Sequence, residues 1–194
     1  NYMVIDTKPR FDEGVDARSG IPTMTVDNVD GSPLTFNANR KGPSDFYGLR
    51  RENYGQGFVF STMPKLAPLI QSSLGNRDDF STARNVVKTL RKNWVSGDST
   101  WFFTERGMYV LDNLEIFDGR ISLEERKLQG LLSRQEGEVH FSNDRRVRFT
   151  PYGYAFGAQS ASELARNAGV IATFGSEEEA ELFARASERY RFQP

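Results

Sequence analysis

Residues 154–190 read YAFGAQSASELARNAGVIATFGSEEEAELFARASERY, and the doubling inside this stretch sets how the rest of the chain is read. Ala155-Phe156-Gly157 returns as Thr173-Phe174-Gly175, Glu163-Leu164 as Glu181-Leu182, and Ala168 as Ala186. Ser160-x-x-Glu163 and Ser176-x-x-Glu179 have the form of capping boxes. In each the serine hydroxyl accepts from an orphan amide and the glutamate reaches back to the serine N–H. Ala161, Leu164, Ala165 and Ala168 fall at i, i+3, i+4 and i+7, and Ala180, Phe183, Ala184 and Ser187 repeat that spacing. Each half therefore predicts a helix with one buried face. Glu177, Glu178 and Glu179 open the second helix while Arg185, Arg189 and Arg191 follow its later turns, an order that suits the helix dipole. The short apolar runs ahead of the helices, 152–156 and 170–174, predict strands, with Gly169 ending the first helix. An anion site at Gly175-Ser176 is opposed by the three glutamates in the same turn.

Upstream, 23–39 predicts a β-hairpin, with Met24 and Val26 alternating with polar residues on one side and Leu34, Phe36 and Ala38 on the other. A two-residue turn at Asp30-Gly31 would set apolar against polar. An odd loop, 29–33, pairs Val26 with Phe36 and Met24 with Ala38 on one face. Residues 1–22 read as irregular, punctuated by Pro9, Gly14, Gly20 and Pro22. Asp6-Thr7-Lys8 has the Asp-x-Lys form of one nuclease class, without a preceding Pro-Asp pair.

Phe58-Val59-Phe60 predicts a short buried strand, 64–74 a helix stopped by Gly75, and 81–95 a stronger helix with Ala83, Val87, Leu90 and Trp94 inward. Residues 99–121 read as a meander: 101–103, 108–111 and 114–117. Ser122-x-x-Glu125 opens a helix to about 133, with Leu128, Leu131 and Leu132 inward. The hairpin 139–149, turning at Asn143, Asp144 and Arg145, pairs Phe141 with Val147 and Val139 with Phe149 inside. His140 then faces Arg148 outside, beside Arg146.

The fold class is α+β: an antiparallel sheet built from hairpins, with helices packed on one face. Residues 1–57 are expected to form an irregular N-terminal region with one hairpin, and 58–194 the α+β globular domain. The chain contains no apolar run long enough to span a bilayer and reads as soluble. It begins with Asn rather than Met, which suggests a processed chain.

The chain has no cysteine and one histidine, His140, so thiolate metal sites, disulfides and sites needing several histidines are excluded. The formal net charge is −1, so a charged partner must be met by a local patch rather than by a global field. No phosphate-binding or dinucleotide-binding glycine motif is present, and no cofactor is implied. Two basic features stand out. One is the helix stripe Arg84, Lys88, Arg91 and Lys92; the other is the hairpin group His140, Arg146 and Arg148. The segment 40–57 adds aromatic and arginine residues, Phe46, Tyr47, Arg50, Arg51 and Tyr54, which either pin a loop to its own core or meet a partner.

These features predict a non-catalytic interaction or structural subunit of a larger protein assembly, contacting protein partners through the aromatic segment and the basic faces. The alternatives are a nucleic-acid-binding protein using helix 81–95 and hairpin 139–149, and a carboxylate- or Mg²⁺-dependent hydrolase.

Overall fold

The computed structural model describes residues 8–39, 41–42, 44–92, 97–115 and 123–189. Among them, two antiparallel sheets and seven helices form an α+β fold. The first sheet has the order β1 (Asp12–Val15), β2 (Pro22–Asp27), β3 (Pro33–Asn37). Alternation along β2 buries Met24 and Val26. The 28–32 loop is odd, as the apolar pattern requires, but it sits one residue earlier than the sequence suggests. Val26 therefore opposes Leu34 and Met24 opposes Phe36. Asp30 accepts from the Ser32 amide at 2.9 Å, and Asn28 donates its backbone N–H to Ser32 O at 2.8 Å. These bonds close the turn before Pro33, which becomes the first strand residue. Strand β1 lies where irregular chain was expected; all four of its residues are exposed, so no buried alternation marks it.

Helix α1 (Phe46–Arg51) is one short element inside the segment that carries no periodicity. Helix α2 (Met63–Asn76) continues through Gly75 and is the most enclosed helix, with Leu66, Leu69, Ile70 and Leu74 buried. Helix α3 (Ser81–Lys92) follows it. Phe58, Val59 and Phe60 form no strand: Val59 is 75% exposed, and Phe60 packs against Phe46 and Tyr54. One core joins Phe11, Met24 and Val26 to α2, α3 and the C-terminal helices through Leu74, Val87, Phe174 and Phe183.

The second sheet contains β4 (Ser99–Phe103), β5 (Gly107–Asp112), β6 (Leu132–Glu136), β7 (Val139–Ser142) and β8 (Val147–Pro151), in the order β4-β5-β8-β7-β6. The meander thus ends after two strands. Strand β8, not 114–117, lies beside β5; Leu114 and Glu115 are outside any strand, and 116–117 fall outside the described residues. Helix α4 (Glu125–Leu131) stops early because Leu132 turns to extended geometry and starts β6. Of its three leucines, Leu128 is buried against Tyr109 and Leu111, Leu131 is exposed and Leu132 is half-buried. Ser122, the expected cap, lies outside the described residues.

The C-terminal doublet folds as α5 (Ala161–Arg166), α6 (Ala168–Phe174) and α7 (Glu177–Arg189). The box at Ser160 is complete: Glu163 N–H donates to Ser160 Oγ at 3.3 Å, and Ser160 N–H donates to Glu163 Oε2 at 2.8 Å. The segment 170–174 is helix, not strand. Asn167 Oδ1 accepts from the Gly169 and Val170 amides at 2.9 and 3.3 Å, starting a new helix immediately after α5. Gly169 is accordingly inside α6 rather than a terminator, and a Cβ there would meet the Tyr154 ring at 2.8 Å. Helix α6 ends at Gly175, whose φ of 94° suits a residue without a side chain. The expected strand 152–156 is also absent, since the chain leaves the sheet after Pro151.

Candidate binding surfaces

Helix α3 forms because Ala83 and Val87 bury one face while its start is capped from another element: Thr82 N–H donates to Glu13 Oε1 of β1 at 3.1 Å. The opposite face presents Arg84, Lys88, Arg91 and Lys92, all exposed. Arg84 turns back to the end of α2, donating to Arg77 O at 3.1 Å and Asp78 O at 3.2 Å. Lys88, Arg91 and Lys92 form no ion pair with any described residue. Trp94, the expected fourth member of the apolar stripe, lies outside the described residues.

Lys92 is also on the rim of a groove of about 740 Å³ between α3, α2, β3 and the chain from Lys41 to Ser61. Leu34, Phe36, Phe58 and Leu66 give it an apolar floor, and Lys41, Lys65 and Lys92 stand at its edge. No carboxylate is among its described lining residues. Leu49 and Tyr54 bring the aromatic segment to the same groove.

That segment divides between inside and outside. Asp45 caps α1, accepting from Gly48 N–H at 2.6 Å. Phe46 lies 6.2 Å from Phe60, and Tyr54 stacks on Phe60 at 6.3 Å while its hydroxyl donates to Leu49 O at 2.8 Å. Arg50 turns inward, donating to Leu114 O and standing 3.1 Å from buried Asp98. Burial pushes the Asp98 carboxyl above its usual range, Arg50 draws it down and Asp112 pushes it up again. Tyr47 and Arg51 face outward, with Arg51 Nε donating to Tyr47 O at 3.2 Å.

The second basic group does not assemble. The loop of hairpin β7–β8 is 143–146, one residue longer than expected, with Arg145 at a φ of 60°. Ser142 Oγ stabilises it, donating to Asp144 at 2.7 Å and accepting from Val147 N–H at 3.0 Å. The extra residue exchanges the faces of β8: Phe141 opposes Arg148, and His140 opposes Phe149. Arg148 is 1% exposed. It holds Asp112 through two bonds at 2.5 and 2.9 Å, and it donates to Ala172 O at the end of α6. Arg146 is exposed and paired with Asp144 at 2.7 Å, which helps hold that carboxyl down to about 2. His140, half-buried, lies beside Phe149 and Tyr109 on the other face of the sheet. Arg145 was not singled out from the sequence, yet it joins Glu136 at 2.7 and 3.0 Å to Gly175 O and covers the Phe141 ring at 4.0 Å.

No family model, curated protein or solved structure matches this chain. Among the described residues no group of three acidic or imidazole side chains converges to hold a metal ion. Asp6 of the Asp-x-Lys run lies outside them, and Lys8 pairs with Asp79. What the structure places together is a row of exposed cations on α3 and an apolar groove that shares Lys92 with it. Such a surface can bury apolar side chains while meeting negative charge at its edge.

Proposed function

We propose that this protein is a non-catalytic interaction subunit that holds an acidic, amphipathic segment of a protein partner on α3 and in the groove beside it. The observation that carries this reading is the shared position of Lys92. It belongs both to the cationic face and to the rim it forms with Lys41 and Lys65 around an apolar floor. Apolar side chains of a partner gain by leaving water in the groove, and the lysines favour carboxylates at its rim. The nucleic-acid reading has less support, because Arg148 is buried and Arg146 is paired, leaving α3 as the exposed cationic row.

The test is charge reversal of Lys88 and Arg91 to Glu, made in the native host so that the natural partner is present. The wild-type protein should co-purify in a larger assembly at low salt and dissociate as salt rises. The doubly reversed protein should stay folded and run free. A folded double variant that still enters the same assembly at low salt would overturn the proposal. Salt-steep binding of DNA or RNA by the wild-type protein, lost on reversal, would move the reading to nucleic acid.

A further inference from the structure

We infer that the free edge of β4 is a self-association surface, on which a second copy of this chain pairs its own β4 antiparallel across a two-fold axis. This surface is distinct from the groove, and the inference does not depend on the partner proposed above.

The backbone sets the geometry. Among the described residues, strand β4 is outermost in its sheet and pairs with β5 alone. Thr104 N–H donates to Gly107 O at 2.9 Å, and Asn113 N–H donates to Asp98 O at 3.0 Å, fixing the bonded pairs at the two ends. Antiparallel bonding alternates with a period of two. Thr100 and Phe102 therefore bond toward β5, while the N–H and C=O of Trp101 and Phe103 point away from the sheet. The start of the strand is closed, because Asp98 N–H donates to Ser61 O and Met63 N–H donates to Ser99 Oγ. The open run is Trp101 to Phe103.

The described edge strands are not alike. Strand β1 carries Asp12 and Glu13, β3 begins with Pro33, and β6 carries Arg134 and Glu136 with a register shift between Leu132 and Arg134. These are the features that keep sheet edges from pairing with other chains. Strand β4, Ser-Thr-Trp-Phe-Phe, has no charge and no proline, and its pairing with β5 runs without a shift. Trp101 is 43% exposed, Phe103 61% and nearby Phe156 79%, around a hollow of about 420 Å³ that reaches Val170.

The occupant that fits is β4 itself. A two-fold interface sets each feature against its own copy, so it tolerates an uncharged aromatic edge and rejects a like-charged face such as that of α3. An axis through Phe102 puts Trp101 of each copy opposite Phe103 of the other. Both outward-facing residues then exchange bonds in both directions, and the aromatic side chains meet across the strands. The two five-stranded sheets become one continuous sheet. A short edge contact is small beside the roughly 1,200–2,000 Å² of a standard interface, so the dimer should be concentration-dependent.

The test combines sedimentation velocity over a wide concentration range with amide exchange. The wild-type chain should pass from monomer to dimer, and Phe103→Lys should weaken that association about a hundredfold or more while leaving the circular dichroism unchanged. In the dimer the amides of Trp101 and Phe103 should become protected, whereas those of Thr100 and Phe102 should be protected at every concentration. The exchange pattern is read on the wild-type chain and so stands even if the lysine variant misfolds. A chain that stays monomeric up to its solubility limit, or a dimer in which the Trp101 and Phe103 amides still exchange freely, would overturn the inference.

Discussion

A guanidinium buried in the middle of a protein is tolerated only when its donors are taken. Arg148 places two of its bonds on Asp112, one on Arg145 O and one on Ala172 O, at the end of α6 where the helix dipole is negative. Asp112 in turn accepts from Ser99 Oγ at 2.5 Å, and Ser99 Oγ accepts from the first amide of α2, Met63, at 2.9 Å. Arg148, Asp112 and Ser99 thus link three strands, β8, β5 and β4, to the end of α6 and the start of α2. Arg148→Ala should cost about 3–5 kcal/mol by denaturant unfolding, because it leaves Asp112 buried and unpaired. Arg146→Ala removes an exposed pair and should change stability by about 1 kcal/mol or less. Equal effects would show that the buried pair does not organise the interior. Glu179 has the opposite status: its Oε2 is buried without a hydrogen-bond partner among the described residues. Burial raises its carboxyl above the usual range and Glu178 adds to this, while Arg145 and Arg148 pull it back. Between the ordinary and the raised value the folded state therefore holds a proton that the unfolded chain has already lost, and this contribution to stability is lost as pH rises through the raised value. Glu179→Gln should accordingly raise the melting temperature near pH 7, with the gain fading as pH falls to the ordinary carboxylate range. Calorimetry at the two pH values checks this. An unchanged or lower melting temperature near pH 7 would mean that the nearby arginines already compensate the charge. The inward position of Arg148 was not legible in the sequence, since it turns on one extra loop residue. An arginine flanked by Val147 and Phe149 reads as the polar member of an alternation whichever face it takes.

Among elements, caps were more legible than strands. Ser160 and Glu163 form the full box that their spacing predicts, and Ser176 Oγ accepts from Glu179 N–H at 3.2 Å. The Glu179 side chain forms no return bond to Ser176, and no local signal separates this half-box from the complete one. The run 170–174 misled for a different reason. It is short, apolar except for Thr173 and flanked by glycines, so a buried strand and a buried helix look alike. The signal that decides it is Asn167, a helix-starting residue two positions before Gly169. The sequence doublet is consequently not a structural repeat. Phe174 is 5% exposed and lies 4.7 Å from Phe183, whereas its counterpart Phe156 stands outside the core. Phe174→Ala should cost about 3–5 kcal/mol by opening a cavity. Phe156→Ala should alter stability by no more than about 0.5 kcal/mol. Similar losses at both positions, measured in the same denaturant titration, would restore the repeat as a packing unit.

Across the whole molecule, the first sheet shares its core with the C-terminal helices. Val26 of β2 and Leu74 of α2 belong to the same buried cluster as Phe174 and Phe183, from the far end of the chain. The α+β class was readable from hairpins and capped helices, but this long-range joining was not. The sequence around β2 shows which residues want burial, not which distant helix buries them. Regions that share a core lose it together, so their amides should exchange through the same global opening. The segment 44–61 is held differently, by the short helix α1, the Tyr54–Phe60 stack, the Asn37–Tyr54 hydrogen bond at 2.7 Å, and Arg50, which reaches Asp98 and Leu114 O. None of these residues belongs to the main buried cluster, so the segment is expected to open without breaking it. Native-state exchange should therefore give Val26 and Leu74 one opening free energy equal to that of unfolding, with amides in 46–51 opening at lower free energy. Binding of an acidic partner in the groove should raise protection in 46–51 and leave Val26 unchanged. If Val26 instead opened well below the global value in the isolated chain, the first sheet would be a separately folding unit resting on the rest. The shared core would then be a docking contact rather than a common interior.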